Sequence, residues 1–184
     1  MLKKNAILVL ILGLVLLCCN LTFGAGRRDK SLPEGVIKIG APAPNFTLQD
    51  LEGRSISLQS LRGKVVILTF WATWCPACRT ELPSLDALNR RLARRGAVVL
   101  GINGGEPIAR VKSFMAKGNL DFPVVMDESG DIHDLYQVRQ YPTTFVIDRQ
   151  GRLVDRHIGL RDWNAPEHFQ ALRTLIGNAP EERP

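Results

Sequence analysis

The spacing of apolar and polar positions changes along the chain, and each spacing predicts an element. Residues 65–71, VVILTFW, are apolar apart from Thr69 and rich in β-branched and aromatic side chains. Such a run predicts a strand buried on both faces. AVVLGIN at 97–103 predicts a second. Between them Leu82, Leu85, Leu88 and Leu92 recur at the spacing of one helical face. Pro76 suits the first turn of that helix, Pro83 should kink it and Gly96 should end it. Upstream, Phe46 and Leu48 alternate, the chain turns at 50–53, and Ile56 and Leu58 alternate again, which is a hairpin pattern. A short turn or helical piece follows at 60–61.

Downstream, Ile108, Val111, Phe114 and Met115 predict a helix over 107–117. A short strand at 122–126 and a short helix at 131–136 come next. TTFVID at 143–148 and RLVDRHI at 152–158 read as two strands joined by Arg149, Gln150 and Gly151. A last helix carries Phe169, Leu172, Leu175 and Ile176, with Asn164 and Glu167 at capping-box spacing. Parallel strands linked by helices and finished by an antiparallel hairpin give an α/β architecture, a mixed central sheet flanked by helices. The chain contains no internal repeat.

At 184 residues, 45% of them hydrophobic, the chain suits one domain plus an extension, with enough apolar material for a core that needs no disulfide staples. Its formal charge is +6, and without Lys3 and Lys4 it is +4. So mild a basicity calls for no nucleic-acid partner, and the densest basic run, at 89–95, reads as a solvated helix stripe.

The N-terminus has the order of an export signal: Lys3 and Lys4, an uncharged apolar run from 6 to 19, small residues, then charges. Three outcomes are open: cleavage after Gly24, retention as a membrane anchor, or lipidation at Cys18 or Cys19. Each places the folded part outside the cytoplasm, in the periplasm or on the outer face of a membrane, where cysteines meet an oxidising environment. The expected organisation is a signal or anchor over 1–24, a linker over 25–38, a folded domain over 39–178 and a tail over 179–184.

Cys75 and Cys78 carry the candidate chemistry. A single Cys-x-x-Cys has too few ligands for zinc, and His133, His157 and His168 lack ligand spacing. A two-thiolate copper(I) site remains an alternative. As a staple the pair closes so short a loop that it stabilises little. Its position after a buried strand, opening a helix, suits redox exchange. At the helix start, free backbone N–H groups and the dipole favour a thiolate, and such cysteines titrate at roughly 3.5–7.5 rather than near 8.5. Cys75 is then the attacking sulfur and Cys78, one turn inward, the resolving one. Trp74 directly precedes the nucleophile and should shield one side of it.

FWATWCPACRTELPSL resembles the active-site segment of extracytoplasmic thioredoxin-like proteins of the TlpA, ResA and CcmG (DsbE) type. YPTTFVIDRQGRLV resembles their later loop and hairpin, and APAPNFTLQDLEGRSISLQSLRGK the N-terminal hairpin that the group adds to the basic fold. The resemblance spans about residues 40–176. It implies a thioredoxin-like fold with an added N-terminal β-hairpin and a thiol–disulfide oxidoreductase without a cofactor. It further implies that Cys75 and Cys78 are the redox pair, with Pro76 between them, and that Pro142, after Tyr141, is the loop proline, cis and facing the disulfide. Glu81 and Glu106 match acidic residues that the ResA-like branch carries near its cysteines. Glu81 is either the proton acceptor for Cys78 or a solvated helix carboxylate. Together the two carboxylates would raise the thiol pKa values. Thr69 departs from thioredoxin, which has an aspartate there.

The implied activity is reduction of disulfides in exported client proteins, such as an apocytochrome c or a copper-site protein, with re-reduction by a thiol-transferring membrane donor. A peroxiredoxin-like peroxidase is the nearest rival. Ala72 and Leu68, however, stand where such enzymes resemble one another in a Thr and a Pro.

Overall fold

The computed structural model describes residues 37–177. The expected leader, all but the end of the linker, and the tail lie outside the described residues. The described residues form seven strands: β1 (Thr47–Asp50), β2 (Ser55–Ser57), β3 (Val65–Trp71), β4 (Ala97–Gly104), β5 (Val124–Asp127), β6 (Thr143–Ile147) and β7 (Leu153–Ile158). Four α-helices accompany them: α1 (Pro76–Leu92), α2 (Ile108–Gly118), α3 (Asp131–Leu135) and α4 (Pro166–Ile176). The strands make one sheet in the order β2-β1-β5-β4-β3-β6-β7. β3, β4 and β5 run parallel, while β1 lies antiparallel to β5 at one side and the β6–β7 hairpin antiparallel to β3 at the other. β1 and β2 form an antiparallel pair with Leu48 opposite Ile56. This is a thioredoxin-like fold with a mixed sheet between helices.

Strand β3 is buried along its whole length because both of its faces are covered. Val65, Ile67 and Trp71 point to one side, where they meet Leu82, Leu85, Leu88 and Leu92 of α1, Val111 and Met115 of α2, and Leu172 and Ile176 of α4. Val66, Leu68 and Phe70 point to the other, against Ile132 and Leu135 of α3, Tyr136, Phe46 and Leu58. The side chains alternate as a pleated strand requires. Thr69 is the polar exception in β3, and its hydroxyl accepts from Thr144 across the β3–β6 pair at 3.0 Å, so neither group is left unpaired.

Helix α1 runs through Pro83 without a break. The capping box expected at α4 does not form. The helix starts at Pro166, its N-cap is Ala165 with no side-chain cap, and the Asn164 Oδ1 atom has no partner. Proline fixes φ for a first helical position, which sets the start two residues beyond the asparagine. Asp162 instead accepts from the Asn164 amide and turns the chain. The basic run of α1 is also more engaged than a solvated stripe. Arg90 pairs with Asp86 and Asp121, and Arg91 stacks over the Phe169 ring at 3.7 Å.

Candidate active site

Parallel strands end on one edge of the sheet, and there β3 hands the chain to α1. Thr73 and Trp74 make the turn, Cys75 is the N-cap of α1, and Pro76 occupies its first turn. Cys75 and Cys78 are joined by a disulfide with their Cα atoms 5.3 Å apart. The Cys75 sulfur accepts the Cys78 backbone N–H at 3.1 Å, so a sulfur takes the place of the oxygen that usually caps a helix. Cys75 is almost covered, at 4% exposure, and Cys78 is fully buried.

Trp74 is 59% exposed and packs at a tilt against Tyr141 with ring centroids 5.6 Å apart. The Tyr141–Pro142 peptide bond is cis, and the buried Pro142 offers its carbonyl to the Gly159 N–H at 2.8 Å. Trp74, Cys75, Pro76 and Tyr141 share a cleft of about 680 Å³ beside the disulfide.

The two acidic residues occupy different environments. Glu81, one turn beyond Cys78 on α1, is buried at 1% exposure, so it is not a solvated carboxylate. Its Oε1 accepts from the Trp163 indole N–H, while its Oε2 has no partner. Burial pushes its carboxyl up to about 7, against the downward pull of the Trp163 hydrogen bond and the Arg161 charge. Glu106, just beyond β4, is held on three sides. The Thr73 hydroxyl donates to it at 2.5 Å, the Thr73 amide at 2.7 Å and the Asn103 side-chain amide at 2.8 Å. Burial pushes the Glu106 carboxyl up, but these hydrogen bonds and the Arg110 charge outweigh it and leave the group below the usual carboxylate value. Glu106 thus ties the turn before Cys75 to the end of β4, and Arg79 ties it to α1 by donating to the Thr73 carbonyl at 2.6 Å.

Three residues at or beside this site carry no sequence signal of such a role. Trp163 precedes α4 and reaches Glu81 across 82 positions of chain. Asp127 ends β5 and His133 lies in α3, and the two pair at 2.5 Å beside the cleft. In the sequence His133 presents itself only as a metal ligand to be weighed. Among the described residues no cluster of three or more His, Cys, Asp or Glu could hold a metal ion.

Comparison with known proteins agrees with this geometry. The AhpC/TSA family model matches residues 39–156. A thiol-disulfide oxidoreductase ResA of Bacillus cereus is 36% identical over 157 residues, covering 85% of this chain and 90% of that protein. ResA of Bacillus subtilis is 36% identical over 152 residues, covering 83% and 80%. The crystal structure of a thiol:disulfide interchange protein DsbE from Chlorobium tepidum superposes with a TM-score of 0.71 at 30% identity, over 77% of this chain and all of that one. With a Cys-x-x-Cys disulfide capping the helix that follows a buried central strand, the chain belongs to the AhpC/TSA family and to the ResA-type thiol–disulfide oxidoreductases, whose activity acts on disulfide-containing client proteins.

Proposed function

We propose that the protein is a dedicated reductant of disulfides in exported proteins, with Cys75 as the attacking sulfur and Cys78 as the resolving one. The observation that carries this reading is the asymmetry of the pair: Cys75 Sγ sits on a helix-start N–H, and Cys78 is wholly enclosed. On reduction the same N–H group and helix dipole stabilise a thiolate on Cys75, and burial disfavours one on Cys78. The Cys75 thiolate attacks the client disulfide to give a mixed disulfide. Glu81, whose carboxyl titrates near neutrality, takes the proton from Cys78, which then attacks Cys75 Sγ and frees the client. Trp74 and Tyr141 wall the cleft in which an extended client segment lies, and Pro142 leaves no N–H to compete for the sulfurs. Glu106 fixes the turn that presents Cys75, and its charge, with that of Glu81 when ionised, tempers the acidity of the thiols.

The domain works outside the cytoplasm, reached through the export-type N-terminus, which is cleaved, retained as an anchor or lipidated. A thiol-transferring membrane protein re-reduces it, and an apocytochrome c or a copper-site protein is the client. Cys78→Ala tests this directly. It should stall as a mixed disulfide through Cys75, and mass spectrometry of the trapped adduct identifies the client. A variant that accumulates no adduct during disulfide reduction would refute the two-step scheme. The family match also favours a peroxidase reading, which requires stoichiometric consumption of peroxide coupled to thiol turnover. Ala72 and Leu68, in place of the Thr and Pro of such enzymes, weigh against it.

A further inference from the structure

The cleft beside the sulfurs holds an acid–base pair that the disulfide exchange scheme above does not use. His133 is buried at the cleft wall, and its Nδ1 lies 2.5 Å from Asp127 Oδ2. The same oxygen accepts the backbone N–H groups of Ile132 at 3.1 Å and His133 at 2.9 Å. The carboxylate therefore holds the Nδ1 proton and leaves Nε2 as the exchangeable site of the ring. Nε2 is enclosed and has no hydrogen-bond partner. Leaving a buried polar atom so is destabilising, and as simple core filling a leucine would serve better here. Space for the ring is specifically provided. A Cβ on Gly104, at the end of β4, would lie 2.6 Å from His133 Cε1, 2.9 Å from Nε2 and 3.1 Å from the Tyr141 hydroxyl. Imidazole and phenol thus converge on one glycine.

Tyr141 lines the same cleft as Cys75. The Tyr141 ring stands edge-on to His133 at 5.5 Å and leans on Trp74 at 5.6 Å. Burial, then the negative charges of Asp127 and Glu106, push the Tyr141 hydroxyl up, so it stays protonated. The other charged groups at the cleft are Glu128, Asp134 and Arg139, the last two paired with each other at 2.9 Å.

We propose that His133, oriented by Asp127 and reached through the Tyr141 hydroxyl, supplies the proton to the client sulfur expelled when Cys75 attacks. The proposal rests on the reductase reading given above. In the step, the Cys75 thiolate bonds to one client sulfur, the client S–S bond breaks, and its electron pair leaves on the second client sulfur. That thiolate takes the Tyr141 hydroxyl proton, and the hydroxyl, brought against the imidazole when the client binds, is refilled from Nε2 of its protonated form; water then returns a proton to Nε2 through the same hydroxyl. The Nδ1 proton stays against Asp127 throughout, and no further oxidant or reductant is needed.

The test exploits the leaving group. An alkyl thiolate, from oxidised glutathione, is basic and gains from protonation. The nitrothiophenolate from dithiobis(nitrobenzoate) is a far better leaving group and needs none. Single-turnover rate constants are measured with both disulfides on the reduced full chain, for wild type, His133→Leu, His133→Gln and Tyr141→Phe. General acid assistance is typically worth about 10²-fold or more. The ratio of the alkyl to the aromatic rate constant should therefore fall by about 10²-fold in each variant. A structural role alone would lower both constants together and leave the ratio unchanged, and that result would overturn the proposal. An unchanged ratio in Tyr141→Phe alone would overturn the relay through the hydroxyl. Wild type inert to both disulfides would instead overturn the reductase reading, and this proposal with it.

Discussion

Replacing Glu81 by Gln should make the protein more stable, and increasingly so as the pH rises. The carboxyl is buried in α1 with one oxygen on Trp163 and the other without a partner, and burial lifts it from an ordinary 4.5 to about 7. A carboxyl that titrates higher in the folded than in the unfolded chain favours folding while both states are protonated; that advantage is lost as the unfolded chain ionises, and the loss ends once the folded form ionises too. The window therefore runs from 4.5 to about 7. At ~1.4 kcal/mol per pH unit the loss comes to roughly 3 kcal/mol above it. Glutamine can keep the hydrogen bond from Trp163 but cannot ionise. Urea unfolding of the oxidised proteins, in which the cysteines do not titrate, gives the difference between variant and wild type at each pH. The difference should be flat below about pH 4 and climb by roughly 3 kcal/mol by about pH 8. Parallel curves would show that the carboxyl titrates normally, and would remove the reason for making it the base that serves Cys78.

Other perturbations follow from the same contacts. Trp163→Phe removes the indole donor that pulls Glu81 downward, so the pH-dependent loss of stability should begin at the same pH but grow larger and continue to higher pH than in wild type, as read by the same urea series. Glu106→Gln sets an amide N–H₂ in place of one oxygen, against at least one of the three donors on Thr73 and Asn103, and should cost about 1–3 kcal/mol at neutral pH. Because Glu106 is held below its usual value, its stabilisation is present above 4.5 and fades as acid protonates it. The deficit of Glu106→Gln in urea unfolding should accordingly shrink at low pH.

Strands β3 and β4 and the apolar face of α1 are legible in the sequence because continuous or periodic apolar runs state their own burial. The position of Cys75 at a helix start is legible for a related reason: a buried strand, a short turn and a leucine stripe fix where the helix begins. Glu81 is not. Its sequence neighbours allow either a solvent-facing or a buried helix position, and Trp163, 82 residues later, decides between them. Thr69 reads as a lapse in an apolar run until Thr144 is placed opposite it. Asp127 and His133 look unrelated in sequence, since their pairing depends on the turn between β5 and α3. The start of α4 departs from the expected cap because the Asn-x-x-Glu spacing competes with Pro166, and proline's fixed backbone prevails.

The most direct test of the account is alkylation of the reduced protein across a pH series, with the modified cysteine located by mass spectrometry. Cys75 should react first throughout, with a titration below the free-thiol value of about 8.5, while Cys78 stays protected. Modification of Cys78 first, or a Cys75 no more reactive than a free thiol, would contradict it.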